Sequence, residues 1–119
     1  MKQVLWVSRH EMTAPQFADL ERVMGEKTKL IPWRETVTEV EVLRSALRRV
    51  DAAAVVLPPE LLAKLFPLAE GKPVLQALSA REATGRTILL PDGRQEPEFA
   101  FVHRCWQQIL HIDIQTRRL

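Results

Sequence analysis

One cysteine in 119 residues, Cys105, leaves no intramolecular disulfide to be made, and the N-terminal stretch lacks the longer apolar region and small-residue cleavage site of a secretory signal. A reduced, cytoplasmic protein is expected. No apolar run approaches the roughly 20 residues that cross a bilayer, so no membrane partner is expected either. Surplus charge is equally scarce. Seventeen Lys and Arg against fifteen Asp and Glu leave a formal +2, too little to point to a DNA or RNA duplex. Glycine occurs only four times, and none falls in "SRHEMT", residues 8–13, where an apolar run gives way to a helix start. Neither a Walker A loop nor a dinucleotide fingerprint is present, which argues against classical NAD or ATP binding, and no cofactor is expected.

What is there is core-forming material in a regular order. Hydrophobic residues make up 46% of the chain, ample for one continuous core at this length, so residues 1–119 read as a single domain. Val4 to Val7 form a near-continuous apolar run that suits a strand covered on both faces. Thr13 and Gln16 have capping-box spacing ahead of a helix from Ala14, whose stripe of Phe17, Leu20, Val23 and Met24 stops at Gly25. "TKLIPW" supplies a second strand. Thr36 and Glu39 repeat the capping-box spacing before Val40, Leu43, Leu47 and Val50, which predicts a second helix. Residues 52–57 read as a third strand, followed by a helix entered through Pro58 and Pro59, with Pro67 expected to split it in two and Gly71 to close it.

"KPVLQALS" reads as a fourth strand, after which the rhythm changes. "RTILLPDGRQEPEFAFV" holds two strand-like runs joined through Pro91-Asp92-Gly93, a hairpin signal, and "ILHIDIQTRRL" alternates like a half-exposed strand. The order predicts an α/β, Rossmann-like three-layer sandwich. Its mostly parallel sheet of about four strands comes from a β-α-β-α-β-α-β core over residues 1–80, and residues 86–119 add an antiparallel hairpin and strand extension.

In such sheets ligands sit beyond the carboxyl ends of the strands. There the sequence places Ser8, Arg9 and His10 after the first strand, Trp33 and Arg34 after the second, Pro58 and Glu60 after the third, and Ser79, Arg81 and Glu82 after the fourth. Arg9, Arg34 and Arg81 would give one edge a positive rim suited to a phosphate or carboxylate, with Ser8, His10 and Ser79 as further ligand-binding residues. Ser8 and His10 are also the candidate catalytic pair, a hydroxyl beside an imidazole, although no acidic partner can be assigned to them. The local alternative is that Ser8 serves the backbone.

His103, Cys105 and His111 have no second pair at ligand spacing, so no metal is expected. Phe99, Phe101, Trp106 and Ile109 gather the late aromatic and apolar residues. Some belong to the core, and the rest suit a homodimer surface on the added strands. That gives a functional alternative: a non-catalytic protein–protein interaction module that self-associates through its aromatic C-terminal strands.

"VLWVSRHEMT", with Ser8, Arg9 and His10 following the first strand, resembles the start of the small single-domain CRISPR-associated proteins related to CARF domains, some of which are ring nucleases. The likeness also covers the order of elements over about the first two-thirds of the chain. It finds no counterpart for "EFAFVHRCWQQILHIDIQTRRL". The resemblance implies recognition of a cyclic oligoadenylate across a dimer at the strand carboxyl edge, and metal-independent phosphodiester cleavage if the protein is an enzyme.

Overall fold

The computed structural model describes all residues, 1–119. Lys2–Val7 forms strand β1, whose last four residues are buried. Thr13 caps helix α1, Ala14–Met24, by the reciprocal bonds expected of its spacing. The Gln16 N–H donates to Thr13 Oγ1 at 3.2 Å, and the Thr13 N–H donates to Gln16 Oε1 at 2.9 Å. Gly25, at φ 81°, ends the helix in the left-handed conformation. Thr28–Trp33 is β2, and Ala52–Val55 is β3, shorter than the expected 52–57.

The second helix departs from expectation. Thr36 caps nothing; the chain forms no helical turn before Glu39, makes one 3₁₀ turn over Val40–Leu43 and only then forms α2, Arg44–Arg49. Thr36, Val37, Thr38, Val40 and Val42 are all β-branched, and their restricted χ1 angles disfavour an early helical start. Conversely, α3 runs unbroken over Pro59–Leu68 with Pro67 inside it. Only Leu68 follows that proline, so the hydrogen bond it forfeits is one at a terminus already ending. Glu70 (φ 51°) and Gly71 (φ 84°) then turn the chain.

The sheet is mixed, with strand order β2-β1-β3-β4-β5. The first four strands are parallel, and β5 is antiparallel to β4. β4, Val74–Leu89, unites the fourth strand with the first half of the predicted hairpin, and β5, Gln95–Gln108, pairs along it. The turn forms where Pro91-Asp92-Gly93 predicts it. The Gly93 N–H donates to the Leu90 carbonyl, the Leu90 N–H donates to the Arg94 carbonyl, and Gly93 stands at φ 87°. A register shift between Ala83 and Thr87 absorbs the irregular "EATG" on β4, and another at Leu78/Ser79 leaves Arg104 as an extra, bulged residue on β5; neither ends its strand. The expected strand in the tail does not form. The Ile109 N–H makes one further ladder bond, to the Val74 carbonyl; after it the chain has no regular element, and Ile109 and Ile112 pack on the core.

Two cores flank the sheet. Leu5, Val7, Ala53, Val55 and Val74 face Leu43, Leu47, Leu62 and Leu65 of the 3₁₀ turn, α2 and α3. Val4, Trp6, Ala52, Ala54, Leu75 and Trp106 face Leu20 of α1. Helices thus cover both faces of the body, and none is long and apolar enough to cross a membrane. Beyond the body, β4 and β5 run on as a two-stranded arm. β4 pairs with β3 only through Val74 and Leu75, and Trp106 is the one buried residue after Leu75. The radius of gyration, 17.4 Å, exceeds the about 13.5 Å of a compact chain of this length, and the arm accounts for the excess.

Candidate functional site

The chain leaves β1 toward β2 on one side and returns to β3 on the other, so the strand order reverses between β1 and β3. At that switch point the carboxyl ends of the two strands diverge and open a crevice. A cleft of about 180 Å³ lies there, lined by Val7 at the end of β1 and the two residues after it, 35–37 after β2, 56–58 after β3, and Leu61 of α3. It is smaller than a drug-sized pocket, which suits a small ligand or one seated partly outside.

Backbone bonds fix its walls. The Ser8 N–H donates to the Trp33 carbonyl at 3.2 Å, and the Val56 N–H donates to the Val7 carbonyl at 2.9 Å, carrying the sheet pairing one residue past the strands. Ser8 is 6% exposed and its Oγ accepts from the His10 N–H at 3.1 Å. Trp6 Nε1 donates to the His10 carbonyl at 2.9 Å from the opposite face of the sheet. The Ser8-Arg9-His10 turn is therefore held at both ends. The hydroxyl of Ser8, having accepted one bond, keeps its own proton to donate.

The lining carries a cation, Arg9, which enters no salt bridge; a carboxylate, Glu35; the hydroxyls of Ser8 and Thr36; and an apolar floor of Val7, Val37, Val56, Leu57 and Leu61. The first turn of α3 begins beside it, where N–H groups have no partner within the helix. Such a set can meet an anionic group, hydrogen-bond donors and a flat apolar surface together.

The residues named from the sequence divide. Ser8 and Arg9 line the cleft. His10 is adjacent, its backbone pinned and its residue exposed, and the Ser8 hydroxyl bonds its backbone rather than its imidazole. Arg34 pairs with Glu11 at 3.3 Å and borders a separate hollow with Trp6, Met12 and Pro32. Ser79 and Arg81 are carried away from the crevice. Val55 is level with Gln76 by register, and Arg81 stands five residues farther out, about 17 Å along the strand. There its guanidinium lies 3.9 Å from the centre of the Phe99 ring. The three arginines do not form one rim, because the fourth strand does not end where the others do.

A second polar cluster went unread. His103 of β5, its side chain 6% exposed, places Nε2 2.9 Å from Oδ2 of Asp19 on α1, and Arg22 Nε donates to the other Asp19 oxygen at 2.8 Å. The His103 bond, then the Arg22 bond, hold the Asp19 carboxyl below its ordinary 3.8. An ionised carboxylate only accepts, so Nε2 carries the proton. His103 Nδ1 is buried without a partner. Trp106 lies tilted against this ring, meets Trp6 edge-to-face at 6.0 Å, and donates from Nε1 to the Gln16 carbonyl at 2.9 Å. A lone His and Asp 84 positions apart give no sequence signal; only the α1–β5 packing joins them.

Compared with protein-family models, curated proteins and solved structures, the chain matches none.

Proposed function

We propose that this is a Rossmann-like, three-layer ligand-binding domain whose crevice between β1 and β3 takes a small phosphate-bearing molecule. A nucleotide fits by chemistry, and a cyclic oligonucleotide is the form suggested by the Ser8-Arg9-His10 resemblance. The observation that carries this reading is Arg9, a guanidinium without an ion-pair partner at the switch point of the sheet, beside a Ser8 hydroxyl free to donate. Guanidinium and hydroxyl bind phosphate oxygens, the apolar floor takes a base, and Glu35 accepts from ribose hydroxyls or an exocyclic amine. A cytoplasmic setting suits the free thiol of Cys105.

Cleavage of a bound phosphodiester asks for one group more. In-line attack by a ribose 2′-hydroxyl on the phosphorus breaks the P–O5′ bond and gives a 2′,3′-cyclic phosphate and a 5′-hydroxyl; Arg9 holds the phosphate, and the imidazole of His10 takes the 2′ proton and passes it to the departing 5′ oxygen. Thermal unfolding against mononucleotides and cyclic oligonucleotides tests the binding step. The midpoint should climb with ligand concentration, and Arg9→Ala should remove most of the rise. His10→Ala should leave the rise in place and lower any turnover. A midpoint that no nucleotide moves at millimolar concentration rejects the assignment.

A further inference from the structure

Past His103, whose ring meets α1, the arm is a two-stranded ribbon with both edges and both faces in solvent, an arrangement marginal in water by itself. Phe101 is 79% exposed and Phe99 44% exposed, and Leu89 and Val102 are also open. Four features of β5 say what covers its free edge.

The first is its charge pattern. Around Phe101, the sequence from Glu98 to Arg104 is complementary to itself when reversed: acid three residues before, base three residues after. The second is facing. Arg81 reaches Phe99, so the odd positions 99 and 101 share the face on which His103 meets α1; Arg104 reaches Glu82, which with Ala100 and Glu98 belongs to the opposite face. Glu98 and Arg104 therefore lie on one face and Phe101 on the other. The third is Pro97. A proline is tolerated within a strand where its missing N–H points off the sheet edge, and alternation then turns the N–H and carbonyl groups of Phe99 and Phe101 to that same outer edge. The fourth is position, since β5 is the last strand of the sheet.

We infer that β5 pairs antiparallel with β5 of a second copy of this chain about a two-fold axis at Phe101, joining the two sheets into one. In that register Phe101 faces its own copy, Phe99 faces His103 and Ala100 faces Val102, while at each end Glu98 comes level with Arg104, the bulged residue of β5, whose side chain shares its face. An isologous interface requires this self-complementarity. Pro97 bounds the new ladder at one end, and symmetry bounds it at the other. The inference uses no residue of the crevice and stands or falls apart from ligand binding.

Sedimentation of the full chain should show a dimer, with Phe101→Lys weakening it about thirtyfold or more by setting like charges on the axis. Glu98→Lys should weaken it too, and adding Arg104→Glu should restore part of the loss, a rescue that a structural role would not give. Because a residue on the axis is about 5.5 Å from its own copy, Phe101→Cys in a Cys105→Ser background should form a disulfide-linked dimer under mild oxidation. Ala100→Cys alone, facing Val102, should not. A wild-type chain that stays monomeric at high concentration overturns the inference, as does a dimer that survives Phe101→Lys and gives no Phe101→Cys cross-link.

Discussion

Asp19 shows how one side chain can hold two elements together. It is the sole partner of the buried His103 ring, and the other ring nitrogen has none. Asp19→Ala should therefore cost about 1–3 kcal/mol in urea unfolding, the usual penalty for stranding a buried polar group. The pH dependence has a definite sign. The folded-state pKa of Asp19 lies below the ordinary 3.8, so its contribution is complete above that value and is lost as pH falls through the lowered one. Thermal melts from pH 6 downward should show a steeper acid limb for the wild type than for Asp19→Ala; equal slopes would remove Asp19 from the acid transition. At this scale the sequence was legible only in part. Ser8 and Arg9 fall where strand-end reasoning puts them, because that reasoning needs only the end of β1. The backbone role expected of Ser8 is the one it has, accepting from the His10 N–H, whereas the indole bond to the His10 carbonyl depends on how tightly "SRH" turns, which residue types alone do not specify.

Thr13 and Thr36 carry the same spacing signal, three residues before Gln16 and Glu39, yet only the first is a cap. The residues just after each threonine make the difference: Ala14-Pro15-Gln16 enters a helix readily, whereas Val37-Thr38 does not. Thr13→Ala should cost about 1 kcal/mol, and Thr36→Ala should stay within about 0.5 kcal/mol, both read from denaturant midpoints. Matching losses would mean that Thr36 caps after all. The same local logic found the strands β1, β2 and β3, helix α3 and the Pro91-Asp92-Gly93 turn. It failed wherever a partner decides the outcome. Residues 80–85 read as a break between two strands, but β5 supplies a ladder along their flank and β4 runs through. The tail alternates like a strand and finds no partner to pair with.

At the scale of the molecule, the order of elements was enough to expect four parallel strands and an antiparallel addition, and the sheet has both. How far that addition projects was not legible, since strand periodicity reports which face a residue takes and not whether anything lies against it. The consequence for the site is direct: a fourth strand that continues outward takes Ser79 and Arg81 with it and leaves the crevice to Ser8 and Arg9. The base of the arm is also where the protein carries an optical probe of its own. Trp6 and Trp106, 6.0 Å apart and at 86°, come from the first and last strands of the chain and meet only when β5 is seated under α1. Indoles this close couple their intense far-ultraviolet transitions, so far-ultraviolet circular dichroism should show, on top of the backbone signal, a paired band that Trp106→Phe abolishes. During unfolding that band should vanish with detachment of the arm, which makes seating of the hairpin observable without a label.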